Sequence, residues 1–198
     1  HLDFPKFNRD RGEAIERARQ AGIVAMINSG VDYSTNISSL ELARKYDFIH
    51  ATLGLNPQMV PDTSDEKISQ ILSQIERSID RAVGVGEAGL DFHYCTTDSG
   101  RQRQIEVFRQ VIDIARKYSK PLVIHGREAE DTALQLSRDL DTVVFHCYGG
   151  SLETMREIVD AGHFISVPTL VCFSGHHRSI AEHLPLENML IETDSPYL

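Results

Sequence analysis

Seven short, nearly continuous apolar runs alternate with stretches of helical periodicity, and this alternation constrains the fold more than any other feature of the chain. The runs cover residues 22–28, 49–54, 82–87, 121–125, 142–146, 163–167 and 189–193. Turn residues bound them, and β-strands covered on both faces read in this way. Between them, Ile68, Ile71, Leu72, Ile75 and Ile79 form one apolar stripe, and Thr63 with Glu66 predicts a capping box at its start. Ile105, Phe108, Ile112 and Ala115 form a second stripe. Ser151 is placed to cap a helix running to Ala161, with Gly162 as its stop. Residues 10–20, 34–46 and 128–138 complete the helical candidates. Strict β–α alternation predicts a parallel α/β fold. No glycine-rich phosphate loop follows the first run, so a (β/α)8 TIM barrel is expected over a doubly wound sheet.

One domain is expected to span residues 1–198. A full eight-unit barrel takes about 250 residues, so the expectation is a barrel incomplete at both termini. A first residue other than Met further predicts sequence upstream.

The chemistry is read from polar residues that interrupt this pattern. Glu87, His125 and His146 each close an apolar run, and Asp194 directly follows the last one. His1, before Leu2 and Asp3, could end a strand of its own. In a barrel, the carboxyl ends of all strands meet at one face, where active sites are built. Carboxylates converging there unpaired would carry a desolvation cost of several kcal/mol each, which divalent cations remove. Imidazole with carboxylate suits zinc, manganese or magnesium in differing proportions. His93 and Tyr94 follow the 82–87 run on the expected functional face; with His176 and His177 they stay open between substrate-facing and merely exposed roles. His50, His163 and His183 read as structural or exposed.

The net charge of −9 does not favour binding nucleic acid through a basic surface. Bound cations would reverse the sign locally. Cys95, Cys147 and Cys172 are widely spaced and odd in number, which excludes a disulfide framework and predicts buried or neutral thiols in a reducing cytoplasm. No apolar run is long enough for a membrane span, and no protein partner is implied.

Several segments together resemble one family. Gly86-Glu87-Ala88-Gly89-Leu90-Asp91 is similar to the GE(I/T)GLD signature of the TatD-type metal-dependent deoxyribonucleases. Residues 120–129 resemble their KPxxxHxREA segment, residues 145–151 their FHCFSGS segment, and residues 190–198 their LLETDxPYL segment. His1-Leu2-Asp3 resembles the end of their HxHLD motif. The resemblance covers the whole chain in order and implies a (β/α)8 barrel of the amidohydrolase superfamily with two divalent metal ions. It implies that His1, a histidine two residues upstream, Glu87 and Asp194 hold one ion. Glu87 would bridge to a second ion on His125 and His146, Asp194 would manage the proton of a metal-activated water, and Arg127 would contact a substrate phosphate. The implied reaction is hydrolysis of phosphodiester bonds in DNA, expected to be exonucleolytic on single-stranded ends.

The sequence departs from that pattern where the family often carries GxHPH. Here the chain reads Gly54-Leu55-Asn56-Pro57-Gln58, without either imidazole. An amidohydrolase-type enzyme acting on a small ester, amide or phosphoester therefore stands as the alternative. A partner-binding barrel without activity is a third reading, disfavoured by the metal positions.

Overall fold

The computed structural model describes residues 1–196. Its seven strands are β1 (Met26–Ser29), β2 (Ile49–Leu55), β3 (Gly84–Asp91), β4 (Leu122–Arg127), β5 (Val143–His146), β6 (Phe164–Val167) and β7 (Met189–Ile191). They form one sheet in sequential order, every neighbouring pair parallel. The helices are α1 (Arg11–Gln20), α2 (Tyr33–Lys45), α3 (Asp65–Ser78), α4 (Asp98–Lys117), α5 (Glu130–Ser137), α6 (Leu152–Asp160) and α7 (Gly175–His183). Parallel neighbours require a crossover, and a helix provides each one. The sheet curls as a barrel wall does. The amino group of His1 donates to the Ser195 carbonyl at 3.1 Å, and Leu2 N donates to Asn28 Oδ1 at 2.6 Å. The opening residues thus span the gap between the ends of β1 and β7.

The core lies between strands and helices. Leu53, Val85, Leu122, Ile124, Val143, Phe145 and Ile165 on the sheet are fully buried, as are Ile71 and Ile75 of α3 and Phe108 of α4. Among the described residues no helix is long and apolar enough to cross a membrane.

Local structure departs from expectation at several points. The first strand begins at Met26, and Ile23 and Val24 stay exposed because pairing with β2 starts only at Met26 opposite Ile49. Ser64, not Thr63, caps α3 by accepting from Lys67 N, while the Thr63 hydroxyl donates to the Met59 carbonyl. The Ser151 cap of α6 and the left-handed Gly162 that follows it agree with expectation. Glu87 and His125 do not close their strands, since β3 continues to Asp91 and β4 to Arg127. The last strand ends at Ile191, leaving Glu192 and Thr193 beyond it.

The extension of β3 past Glu87 has a local cause. The β2–β3 and β3–β4 registers both shift around Glu87. Gly86 has φ +131°, a conformation that a side chain rarely adopts. Gly54 faces it from β2, and a Cβ there would overlap the backbone of Glu87. Asn36 of α2 takes both polar groups of Gly54, accepting from its N–H at 2.9 Å and donating to its carbonyl at 3.1 Å. The freed Glu87 N–H reaches past β2 to the Gly30 carbonyl at 3.0 Å.

Candidate metal centre

Glu87 stands at the middle of the site. Its side chain is only 7% exposed, and its two oxygens face different partners. Oε1 lies 3.3 Å from His125 Nδ1 and 3.3 Å from His146 Nε2. Oε2 lies 3.6 Å from His1 Nε2, which in turn is 3.5 Å from Asp194 Oδ1. The five residues expected to converge therefore do so, Glu87 and His125 from within β3 and β4, His146 from the end of β5, and His1 and Asp194 from segments outside the strands.

Both strand histidines are held from behind. His125 Nε2 donates to Asp91 Oδ2 at 3.1 Å, and His146 Nδ1 donates to Glu192 Oε2 at 2.8 Å. These bonds fix the tautomers and leave Nδ1 of His125 and Nε2 of His146 to face Glu87. Asp91 is fully buried and also accepts from Gln58 Nε2 at 2.7 Å and from Tyr94 N at 2.9 Å. Glu192 Oε2 also accepts from Ser166 Oγ at 2.9 Å and Cys147 N at 3.3 Å, while its Oε1 is buried without a partner. On the other side, His1 Nδ1 meets the backbone carbonyl of Ser29 at 3.1 Å.

The electrostatics follow from this packing. Burial alone would push the Glu87 carboxyl up, but the charge of His146 and the hydrogen bond of His125 hold it well below the usual carboxylate range. Burial opposes charge on His125, yet its bonds to Asp91 and Glu87 raise it to about 9. His146 is likewise raised against its own burial by the charge of Glu87 and the bond to Glu192. Asp91, despite burial, falls to about 2 beside His125. A buried carboxylate facing two imidazoles draws positive charge to this place, either protons on the rings or a cation between them.

The donor set fits a divalent metal. The ligand atoms of Glu87, His125 and His146 all lie within 4.8 Å of one another. Two donors about 2.1 Å from a common ion at a tetrahedral angle stand about 3.4 Å apart, close to the 3.3 Å separations of both imidazoles from Oε1. Asp194 and His1 stand outside that tight group, though adjacent to it.

Arg127 ends β4 at the exposed rim, with its guanidinium 5.0 Å from the centre of the Tyr94 ring. His93 is exposed and paired to Glu128 at 2.7 Å. His176 contacts the Gly149 and Gly150 carbonyls at 3.0 Å, and His177 contacts Ser174 Oγ at 2.9 Å. His163 is buried before β6, His183 is exposed on α7 and His50 sits at the start of β2. Cys95 is buried and Cys147 partly so, its thiol pushed up by burial; Cys172 is exposed. Asp91, Glu192 and Gln58 were not predicted from sequence as site residues. Asp91 and Glu192 carried a usable signal, since each directly follows an apolar pair or run, as the histidines do. Tyr197 and Leu198, the end of the last motif, lie outside the described residues.

A family profile described as TatD related DNase matches residues 1–198. An uncharacterized metal-dependent hydrolase of Methanocaldococcus jannaschii is 37% identical over 100% of this chain and 77% of its own length. The 3'-5' ssDNA/RNA exonuclease TatD of Salmonella typhimurium is 32% identical over 100% of this chain and 77% of its own. Among solved structures, YjjV, a TatD homologue from Escherichia coli, superposes with a TM-score of 0.86 at 31% identity, covering 99% of this chain and 77% of its own.

Proposed function

We propose a function from this premise: the chain belongs to the TatD-related DNase family. It is a metal-dependent hydrolase of phosphodiester bonds in DNA, working from single-stranded ends. The carrying observation is that Glu87 offers one oxygen to His125 and His146 and the other to His1. The relative named as a single-strand exonuclease supports the substrate, and a free end threads a barrel mouth more easily than a duplex does.

Glu87, His125 and His146 would hold one ion; His1, the second oxygen of Glu87 and Asp194 would hold another. Divalent cations, magnesium, manganese or zinc, supply positive charge to a phosphoryl oxygen and lower the pKa of the attacking water when bound. Asp194 would accept the proton of that water as its oxygen bonds to phosphorus, while the P–O bond to the departing sugar oxygen breaks and that oxygen takes a proton from solvent. Asp91 and Glu192 keep the imidazoles oriented, and Arg127 meets a substrate phosphate at the rim. The compartment is proposed to be the cytoplasm.

Metal analysis with a cleavage panel tests the reading. Single-stranded DNA should be degraded faster than blunt duplex when magnesium, manganese or zinc is added. The acidic net charge of −9 and the neutral Asn56 and Gln58 favour a second reading, a small ester or amide substrate. Strong turnover of a small ester without DNA cleavage would decide for it.

A further inference from the structure

Tyr94, beside Arg127, belongs to a feature that the hydrolytic chemistry does not use. Asp91 and Arg127 are register partners across β3 and β4. Side chains two apart on a strand share a face, so Arg127 follows His125 outward along one wall of the site. The turn after β3 carries Tyr94 beside it. That turn is tied down: Asp91 Oδ1 accepts from Tyr94 N at 2.9 Å, and Arg101 donates to the Cys95 carbonyl at 2.8 Å and the Phe92 carbonyl at 3.0 Å. Yet the tyrosine itself is 62% exposed. One buried carboxylate thus holds both an imidazole of the candidate metal centre and the backbone of the residue that carries an exposed aromatic at its rim.

The charges around the ring are also arranged. Arg127 lies over Tyr94, and among the described residues its guanidinium makes no ion pair, although the chain carries 29 acidic against 20 basic residues. Its sequence neighbour Glu128, the nearest candidate partner along the chain, adopts φ +55° and pairs with His93 at 2.7 Å instead. His93 packs edge-on to Tyr94 with centroids 4.9 Å apart. An arginine free of ion pairs and an exposed aromatic on an anchored turn are the two parts of a nucleotide subsite, one for phosphate and one for a base face.

We propose that Tyr94 is the stacking platform for a nucleobase of a single-stranded substrate, with Arg127 taking the adjoining phosphate. This rests on the nuclease reading above. Stacking on an aromatic tolerates any base, so the subsite would select for unpaired bases without selecting sequence.

The chain has no tryptophan, so Tyr94→Trp introduces a single indole reporter at the platform. Its fluorescence should be quenched by a phosphorothioate oligothymidylate and not by an abasic oligonucleotide of equal length. In the metal-loaded protein, Tyr94→Leu should lower kcat/KM on oligothymidylate about ten-fold. It should also abolish the wild-type preference for oligothymidylate over the abasic strand, and Tyr94→Phe should keep that preference. Equal quenching by both strands, or an undiminished preference in Tyr94→Leu, overturns the platform while the nuclease reading stands. No cleavage of either strand by the wild-type protein overturns the nuclease reading and the platform with it.

Discussion

The two sides of Glu87 are built from the same ligand types but are held in different ways. On one side, His125 and His146 sit on adjacent strands, paired to each other in register, and each has a carboxylate on its outer nitrogen. On the other, His1 leans on a backbone carbonyl, and Asp194 lies beyond β7 with 27% of its side chain exposed. A carboxylate behind an imidazole fixes its orientation and raises its basicity; the Ser29 carbonyl behind His1 does the same with a partial charge in place of a full one. The first side is ready for a cation before one arrives, while the second depends on two short segments meeting.

The sharpest test removes what the sides share. Glu87→Gln should lower hydrolysis by about a thousand-fold or more, since both donor sets lose their common charge, while circular dichroism shows the fold retained. Asp194→Asn should lower it to a similar degree through loss of the proton acceptor. Full activity in both variants would refute the shared-carboxylate mechanism.

Metal titration then compares the sides directly. The His125–His146 side should fill first and more tightly, and His1→Ala should weaken only the later phase. Anomalous scattering from crystals soaked in zinc or manganese would locate the ions. Greater occupancy beside His1 would reverse the ranking of the two sides.

The carboxylates behind the histidines should matter less than the ligands themselves. Asp91→Asn and Glu192→Gln should each weaken cation affinity by about 10–100-fold, as read by isothermal titration. Unchanged affinity in both would show that the imidazoles are oriented by strand packing alone. The smallest effect is expected for Gln58→Ala, about two- to five-fold in affinity at the His125 side, because removing one neutral donor leaves Asp91 its bonds to His125 and Tyr94.

Much of this was legible in the sequence, and the failures have physical causes. Apolar runs identified all seven strands, because parallel strands bury both faces and leave a strong signal. His125, His146 and Glu87 stood out as polar residues that such runs should not hold. Glu87 was misjudged as a strand end because pairing resumes beyond the irregular Gly86, and no periodicity reports a register shift. Asp91 and Glu192 were passed over because an acid after an apolar run reads equally well as solvated; only their partners reveal them. Gln58 was read as the loss of an imidazole, whereas its amide supports His125 through Asp91. Thr63 lost the cap to Ser64 because the two adjacent hydroxyls are equivalent in sequence and only the backbone chooses between them.

Gly54 carries a consequence for how this protein tolerates change. It offers no side chain as a ligand, and its neighbours in sequence are ordinary strand residues. Yet every other amino acid begins with the Cβ that would collide with the backbone of Glu87, so no choice of chemistry at this codon is harmless. In a saturation screen for function, position 54 should be as intolerant as a ligand position. Some of the vulnerability of the candidate metal centre is therefore carried by a residue whose missing side chain is what the fold requires.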